Sequence, residues 1–321
     1  VFIVSSWLFP SLNSVEKFEL KLNRFELELF SINSENVIKK SKKWDETYGS
    51  FTEVFATHIM QLKELNNSQY CNALLDFTTD KNMREAYDST SLIFSDFSKI
   101  YQDLELAFSH FSISFPSYPI PKITTFFGGF NFGVVTYDDN IAIGLENFLG
   151  QNSKYYEYLG DPRYLRFQKQ RRFILSNVME VWFNEYFQKY LVDRDFLSQI
   201  IYKGKMMYFL DKMLPELEME DKFRFSSVQM AWVEENEVDI WEYFIQKDLL
   251  FSKKESEFRS FINYAPFAKG MPKEAPGRVA YFIGYKIVDE YMKNNKIGLE
   301  ELMYLTDSRY FLQQSKYKPN K

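Results

Sequence analysis

KITTFFGGFNFGVVTYDDNIAIGLENFLG, residues 122–150, is the stretch of this 321-residue chain in which β-branched and aromatic residues run together between turn formers. Gly128-Gly129 separates its first run from the second, and Asp138-Asp139-Asn140 separates the second from the third. Runs bounded in this way read as strands of one small sheet, the last two forming a hairpin around residues 137–140. Just upstream, PSYPIP (residues 116–121) places three prolines in six residues, which no helix can continue. Further out, VEKFELKLNRFELELF (15–30) begins in the apolar/polar alternation of a half-buried strand. Residues 33–60 and 68–110 carry apolar side chains at three- and four-residue spacing, as an amphipathic helical layer does. From Tyr155 onward the chain reads as helix, broken near Gly160-Asp161-Pro162, Asp193, Pro215, Pro266 and residues 272–277. The expected fold is α+β: predominantly helical, with one small mixed sheet of about four strands including the N-terminal one. The expected organisation is a single domain over 15–321, with a helical layer over 31–115, the sheet over about 122–145 and a helical part over 153–321.

Composition narrows the function. A chain that is 45% hydrophobic and 19% aromatic, with 33 Phe and 22 Tyr against 12 Gly, can bury a large core without staples and favours aromatic-packed helices over a loop-rich β fold. The net charge of −5 forms no basic face, which argues against nucleic acid as a partner. One cysteine, Cys71, excludes an internal disulfide framework. Residues 1–14 open with VFIVSSWLFP, mostly apolar yet far short of the roughly 20 residues of a spanning helix, and read as a signal-peptide remnant or an anchor segment.

Catalytic patterns are sparse. His58 and His110 stand 52 residues apart, whereas a helical zinc pair needs i, i+4 spacing and a third ligand. GGFNFG (128–133) has the wrong spacing for a dinucleotide loop, and neither a G-x-S-x-G elbow nor a phosphate loop occurs. No metal and no cofactor is therefore expected. WVEENEVDIWEYF (232–244) concentrates carboxylates; on one helix Glu234 would neighbour Glu237 and Glu235 would neighbour Asp239, opposite an aromatic face. A solvated acidic face is the favoured reading of that cluster, and Glu234, Glu235 and Glu237 form the candidate partner surface. In PGRVAYFIGYKIVDEY (276–291), Pro276 suits a first helical turn, and Ala280, Gly284, Ile287 and Val288 form a stripe that allows close helix packing.

Several segments in order carry a resemblance: LNRFELELF (22–30), IAIGLENFLG (141–150), DPRYLRF (161–167), YKGKMMYFLDKMLP (202–215), MAWVEENEVDIWEYFIQKDLLF (230–251), APFAKGMPKEAPGRVAYFIGYKIVDEYMKN (265–294) and QQSKYKP (313–319). Together they resemble the GldB family of gliding-motility lipoproteins of the Bacteroidetes, over nearly the whole chain. That family in turn resembles predicted zinc-dependent proteases in which a hairpin precedes an HExxH helix, so a zincin-like fold is implied. The corresponding helix here is RRFILSNVMEVWFNEYF (171–187), in which the motif falls on Met179-Glu180-Val181-Trp182-Phe183. Glu180 stands where the general base would, with Met179 and Phe183 at the degenerate metal positions, and Glu237 falls near a third, acidic ligand position. Thioether and phenyl groups cannot hold zinc there. The resemblance implies a non-catalytic, periplasm-facing envelope protein, membrane-anchored, acting within an envelope protein complex and linked to type IX secretion. A mature lipoprotein begins at a lipidated cysteine, yet no Cys precedes Cys71, so the expectation is a trimmed anchor or an uncleaved apolar segment. Two alternatives stand beside it: a zinc-independent hydrolase using Glu180 and Glu237 as a carboxylate pair, and an accessory factor contacting peptidoglycan or glycans through exposed aromatic residues.

Overall fold

The computed structural model describes residues 19–62 and 67–319, so the segment expected over 1–14 lies outside the described residues. Four strands, β1 (Leu22–Arg24), β2 (Ile123–Phe126), β3 (Val134–Tyr137) and β4 (Asn140–Gly144), form one sheet in the order β1-β2-β4-β3. β2 lies parallel to both β1 and β4, and β3 runs antiparallel to β4, so the sheet is mixed as expected. The hairpin turns at Asp138 (φ 40°) and Asp139 (φ 58°), a primed turn whose twist matches its strands. Asn140 locks it: its side-chain amide donates to Asp138 O at 2.8 Å, and its Oδ1 accepts from Lys122 N at 3.0 Å.

The N-terminal strand is shorter than its alternation suggests. Only Leu22–Arg24 pairs with β2, and the chain turns at once into the helix Phe25–Leu29. Phe25 and Leu29, four residues apart, are both buried, and over five residues FELEL satisfies a helical stripe as well as a strand's alternation. The N-terminal layer that follows is helical, including Val37–Tyr48, Asn67–Thr79, Lys81–Ile93 and Ser98–Ser114. Asp80 caps the third of these by accepting from Asn82 N and Met83 N.

Both faces of the sheet are covered. Ile123, Ile141 and Ile143 join a core shared with the C-terminal helices, whereas Phe126 and Ala142 join a second core with Phe25, Trp44, Phe51 and Phe55 of the N-terminal layer. β4 accordingly carries the apolar run Ile141-Ala142-Ile143, whose side chains alternate between the two cores. Glu146, in the 3-10 turn after β4, is fully buried; its Oε1 accepts from Gly128 N at 2.7 Å and Phe130 N at 3.1 Å, holding the glycine loop in place. Its Oε2 has no hydrogen-bond partner among the described residues, and burial pushes the carboxyl up to about 7.

The C-terminal part centres on the helices Ile174–Phe187, Phe196–Met213 and Val279–Asn294. The last two cross where Gly204 meets Gly284, so closely that a Cβ on either would run into the other helix's backbone. The stripe through Ala280 and Gly284 thus does allow close packing, against a facing glycine. Pro276 is not in the first turn of that helix, which begins at Val279 with Arg278 as its N-cap at φ 68°. The acidic stretch also differs from expectation. Asn236 divides it into two helices, Ser227–Glu235 and Glu237–Gln246, so Glu234 and Glu237 do not share one continuous face.

Candidate functional site

The helix Ile174–Phe187 lies against the hairpin, as its apolar character demands. Glu185 Oε2 accepts from Thr136 Oγ1 at 2.6 Å, and Tyr186 donates to Asp139 Oδ1 at 2.7 Å, fastening the helix to β3 and its turn. The opposite side of the helix enters the core. Met179 and Phe183 are buried, Phe183 among the rings of Phe187, Tyr202 and Phe209, and Trp182 is buried against Phe108 and Phe111. Met179, Trp182 and Phe183 are each at most 1% exposed.

Two arginines from distant chain corners converge on Glu180 of this helix. Arg224 follows the helix Met219–Phe223 at φ 55°, and Arg278 stands at φ 68°; both adopt the left-handed conformation that side chains with a Cβ seldom adopt. Each is only 2% exposed. Arg224 Nη2 pairs with Glu180 Oε2, and its Nη1 donates to Asn177 Oδ1 at 2.7 Å. Arg278 Nη2 lies 3.8 Å from the same Glu180 oxygen, while its Nη1 donates to Phe223 O at 3.1 Å. The Arg278 guanidinium also stacks on two rings, 4.0 Å from the Tyr281 centroid and 4.5 Å from that of Tyr264. Burial draws Arg224 down to about 10, which leaves it charged at neutral pH. Burial alone would raise the Tyr281 hydroxyl, but the positive charges of Arg278, Lys203 and Arg224 outweigh it and bring the hydroxyl down to about 8. The centre therefore sets two guanidiniums against one carboxylate, and its local potential is positive. Beside it lies a cavity of about 50 Å³, lined by both arginines and by Phe167, Gln168, Gln229 and Tyr264 among others.

Glu237 does not join this centre. It is 5% exposed, accepts from Tyr317 Oη at 2.9 Å and pairs with Lys286 Nζ at 3.3 Å. Arg278 and Lys286 stand eight residues apart on one helix, about 12 Å along its axis, so the two carboxylates are neutralised separately. This is a correction to the acidic face as well, since Glu237 is internal while Glu234 and Glu235 are exposed. The histidines take unremarkable places. His58 is exposed beside Thr57, and His110 Nδ1 donates to Met213 O at 3.1 Å. Among the described residues, no three His, Cys, Asp or Glu side chains group as metal ligands would. Arg224 and Arg278 were not foreseen. Arg224 inside the Phe223-Arg224-Phe225 run and Arg278 at the Pro-Gly-Arg corner carried the only hint, an ionic residue flanked by apolar ones.

These features define a helix-rich α+β protein whose polar centre is a guanidinium–carboxylate cluster at the edge of an aromatic core. The model of the family described as gliding motility protein GldB matches residues 10–319, and the chain belongs to that family. Its role accordingly lies in gliding motility, and membership of a lipoprotein family suggests a membrane-anchored place in the cell envelope. No helix among the described residues is long and apolar enough to cross a membrane. No curated protein and no solved structure matches the chain significantly.

Proposed function

We propose that this chain supports gliding motility as a non-catalytic, periplasm-facing envelope protein that binds another protein, on a zincin-like scaffold whose metal site has been lost. The observation that carries this reading is the state of the Met179-Glu180-Val181-Trp182-Phe183 turn. The positions where imidazoles would stand are packed in the core, and the carboxylate that would serve as base is held by two buried arginines. A general base needs a proton-accepting carboxylate free to reach a water or substrate; Glu180 is instead committed to a cluster of opposite charge. The exposed pair Glu234 and Glu235 is the surface assigned to the partner, and a link to the secretion machinery of the same envelope belongs to this proposal. A carboxylate-pair hydrolase draws no support from Glu237, which has its own lysine and tyrosine.

The test combines motility with stability. Cells whose only copy carries Glu234→Lys and Glu235→Lys should stop spreading while holding normal amounts of the protein, and the same change should remove a partner from pull-downs of native membranes. Phe183→Ala should lower stability by about 3–5 kcal/mol, as large truncations in a packed core do. Peptide cleavage by the purified chain that disappears in Glu180→Gln, with the fold intact, would refute the non-catalytic reading.

A further inference from the structure

The charge balance around Glu180 is incomplete in a specific way. A structural ion cluster normally closes its charges and its donors, because a buried ionic N–H without a partner costs several times what an ordinary hydrogen bond contributes. Here two guanidiniums share one carboxylate oxygen. Arg224 Nε and Arg278 Nη2 are fully buried and have no hydrogen-bond partner among the described residues. Both arginines line the same cavity, whose volume of about 50 Å³ exceeds the roughly 10–15 Å³ a single water requires and suits one compact anionic group. Pro276 and Gly277 carry the cavity wall to the start of the Val279–Asn294 helix, whose dipole adds positive potential at that end. The aromatic wall of Phe167 and Tyr264 lowers the local dielectric and strengthens each of these attractions. One more group is unmatched: Gln168 donates through Nε2 to Arg224 O at 3.3 Å, but its buried Oε1 has no hydrogen-bond partner among the described residues. An oxyanion that also carries an O–H would meet the arginine donors with its charged oxygens and Gln168 Oε1 with its proton. Inorganic phosphate near neutral pH keeps such an O–H in both its forms; a phosphate monoester, with a second pKa near 6, keeps one on only a minor fraction, and a carboxylate has none.

We propose that the cavity between Arg224 and Arg278 is a binding site for a single oxyanion, with phosphate-type groups preferred over carboxylates. The arginine forks supply the bidentate donors that phosphate and carboxylate favour. The cavity holds the charged group alone, so a larger ligand leaves its body outside. This goes beyond the protein-binding reading and stands on different residues from Glu234 and Glu235, so failure of either leaves the other intact.

The test uses the full chain in thermal melts and titration calorimetry, with inorganic phosphate, acetate and chloride compared at equal ionic strength. Phosphate should raise the melting temperature with the logarithm of its concentration above its Kd, by about 2 °C at roughly tenfold excess, and acetate should do so less. Arg278→Met should abolish the response. Because that variant can lose its fold, Gln168→Glu serves as the second: it brings a carboxylate of the chain's own into the cavity, and it should melt no lower than the parent and cease to respond to phosphate. Equal melting of the parent chain in phosphate and chloride would overturn the proposal. So would a phosphate response that survives undiminished in folded Gln168→Glu. An acetate response equal to that of phosphate would overturn the preference for a protonated oxyanion while leaving the site.

Discussion

Glu146 shows how much one side chain can do in a closed interior. Its carboxylate holds the Gly128 loop against the end of β4, yet one oxygen has no partner, and burial raises its titration from the ordinary 4.5 to about 7. The raised value means that the folded state holds a proton the unfolded chain releases. Its contribution is therefore complete below pH 4.5 and is lost as pH rises to about 7, a change of about 3 kcal/mol. Glu146→Gln keeps an acceptor for the Gly128 and Phe130 amides and should flatten that part of the stability–pH curve. Denaturant titrations of both chains across this range decide the matter, and parallel curves would refute the assignment. At this scale the sequence was partly legible. Phe183 could be read as core because Val178, Trp182 and Phe183 leave that helix face little polar character, and it is buried. Arg224 and Arg278 could not, because their meeting with Glu180 depends on two left-handed corners distant in sequence, and neither period nor spacing encodes such a contact.

Gly204 and Gly284 set the distance between two long helices. A glycine inside a helix ordinarily costs about 0.5–1 kcal/mol relative to alanine, so the sign of the effect of Gly284→Ala reports on the crossing. With the backbone of Ile200 and Gly204 directly opposite, the added methyl should push the helices apart and destabilise the fold by about 1–3 kcal/mol. Chemical denaturation of Gly284→Ala measures this, and a gain in stability would show that the helices slide freely. Elements with strong local signals were legible in the sequence: the hairpin announced itself through Asp138-Asp139-Asn140, and the helices through their apolar spacing. Elements decided by competition were not. FELEL suits a strand and a helix equally until β2 offers pairing to only three residues, and the acidic helix divides at Asn236, where the chain turns Glu237 inward towards Lys286 and Tyr317.

Across the whole molecule, the sheet is the wall between two aromatic cores, one containing Trp44 and the other Trp182 and Trp241. Phe126 faces one side and Ile123 the other, so loss of either core strips a face of the same strand. Unfolding followed through Trp44 and through Trp182, each with the remaining tryptophans replaced by Phe, should give coincident transitions. Separated midpoints would mean that the layers unfold independently. The small sheet was foreseeable from its β-branched and aromatic runs, whereas the partition of the aromatics between its two faces was not, since composition does not say which ring turns which way. The sheet also dictates an order of events. Val134–Tyr137 and Asn140–Gly144 close over a two-residue turn, but Leu22 waits for Ile123, about a hundred residues later. Loop-closure entropy delays such a pairing, so a chain emerging end-first must carry its opening strand unsatisfied until the wall is built from the middle outward. For that interval the Leu22–Arg24 edge and the buried face of Phe25–Leu29 are exposed to whatever meets the nascent chain, which makes the first-made strand of this sheet the last to be protected.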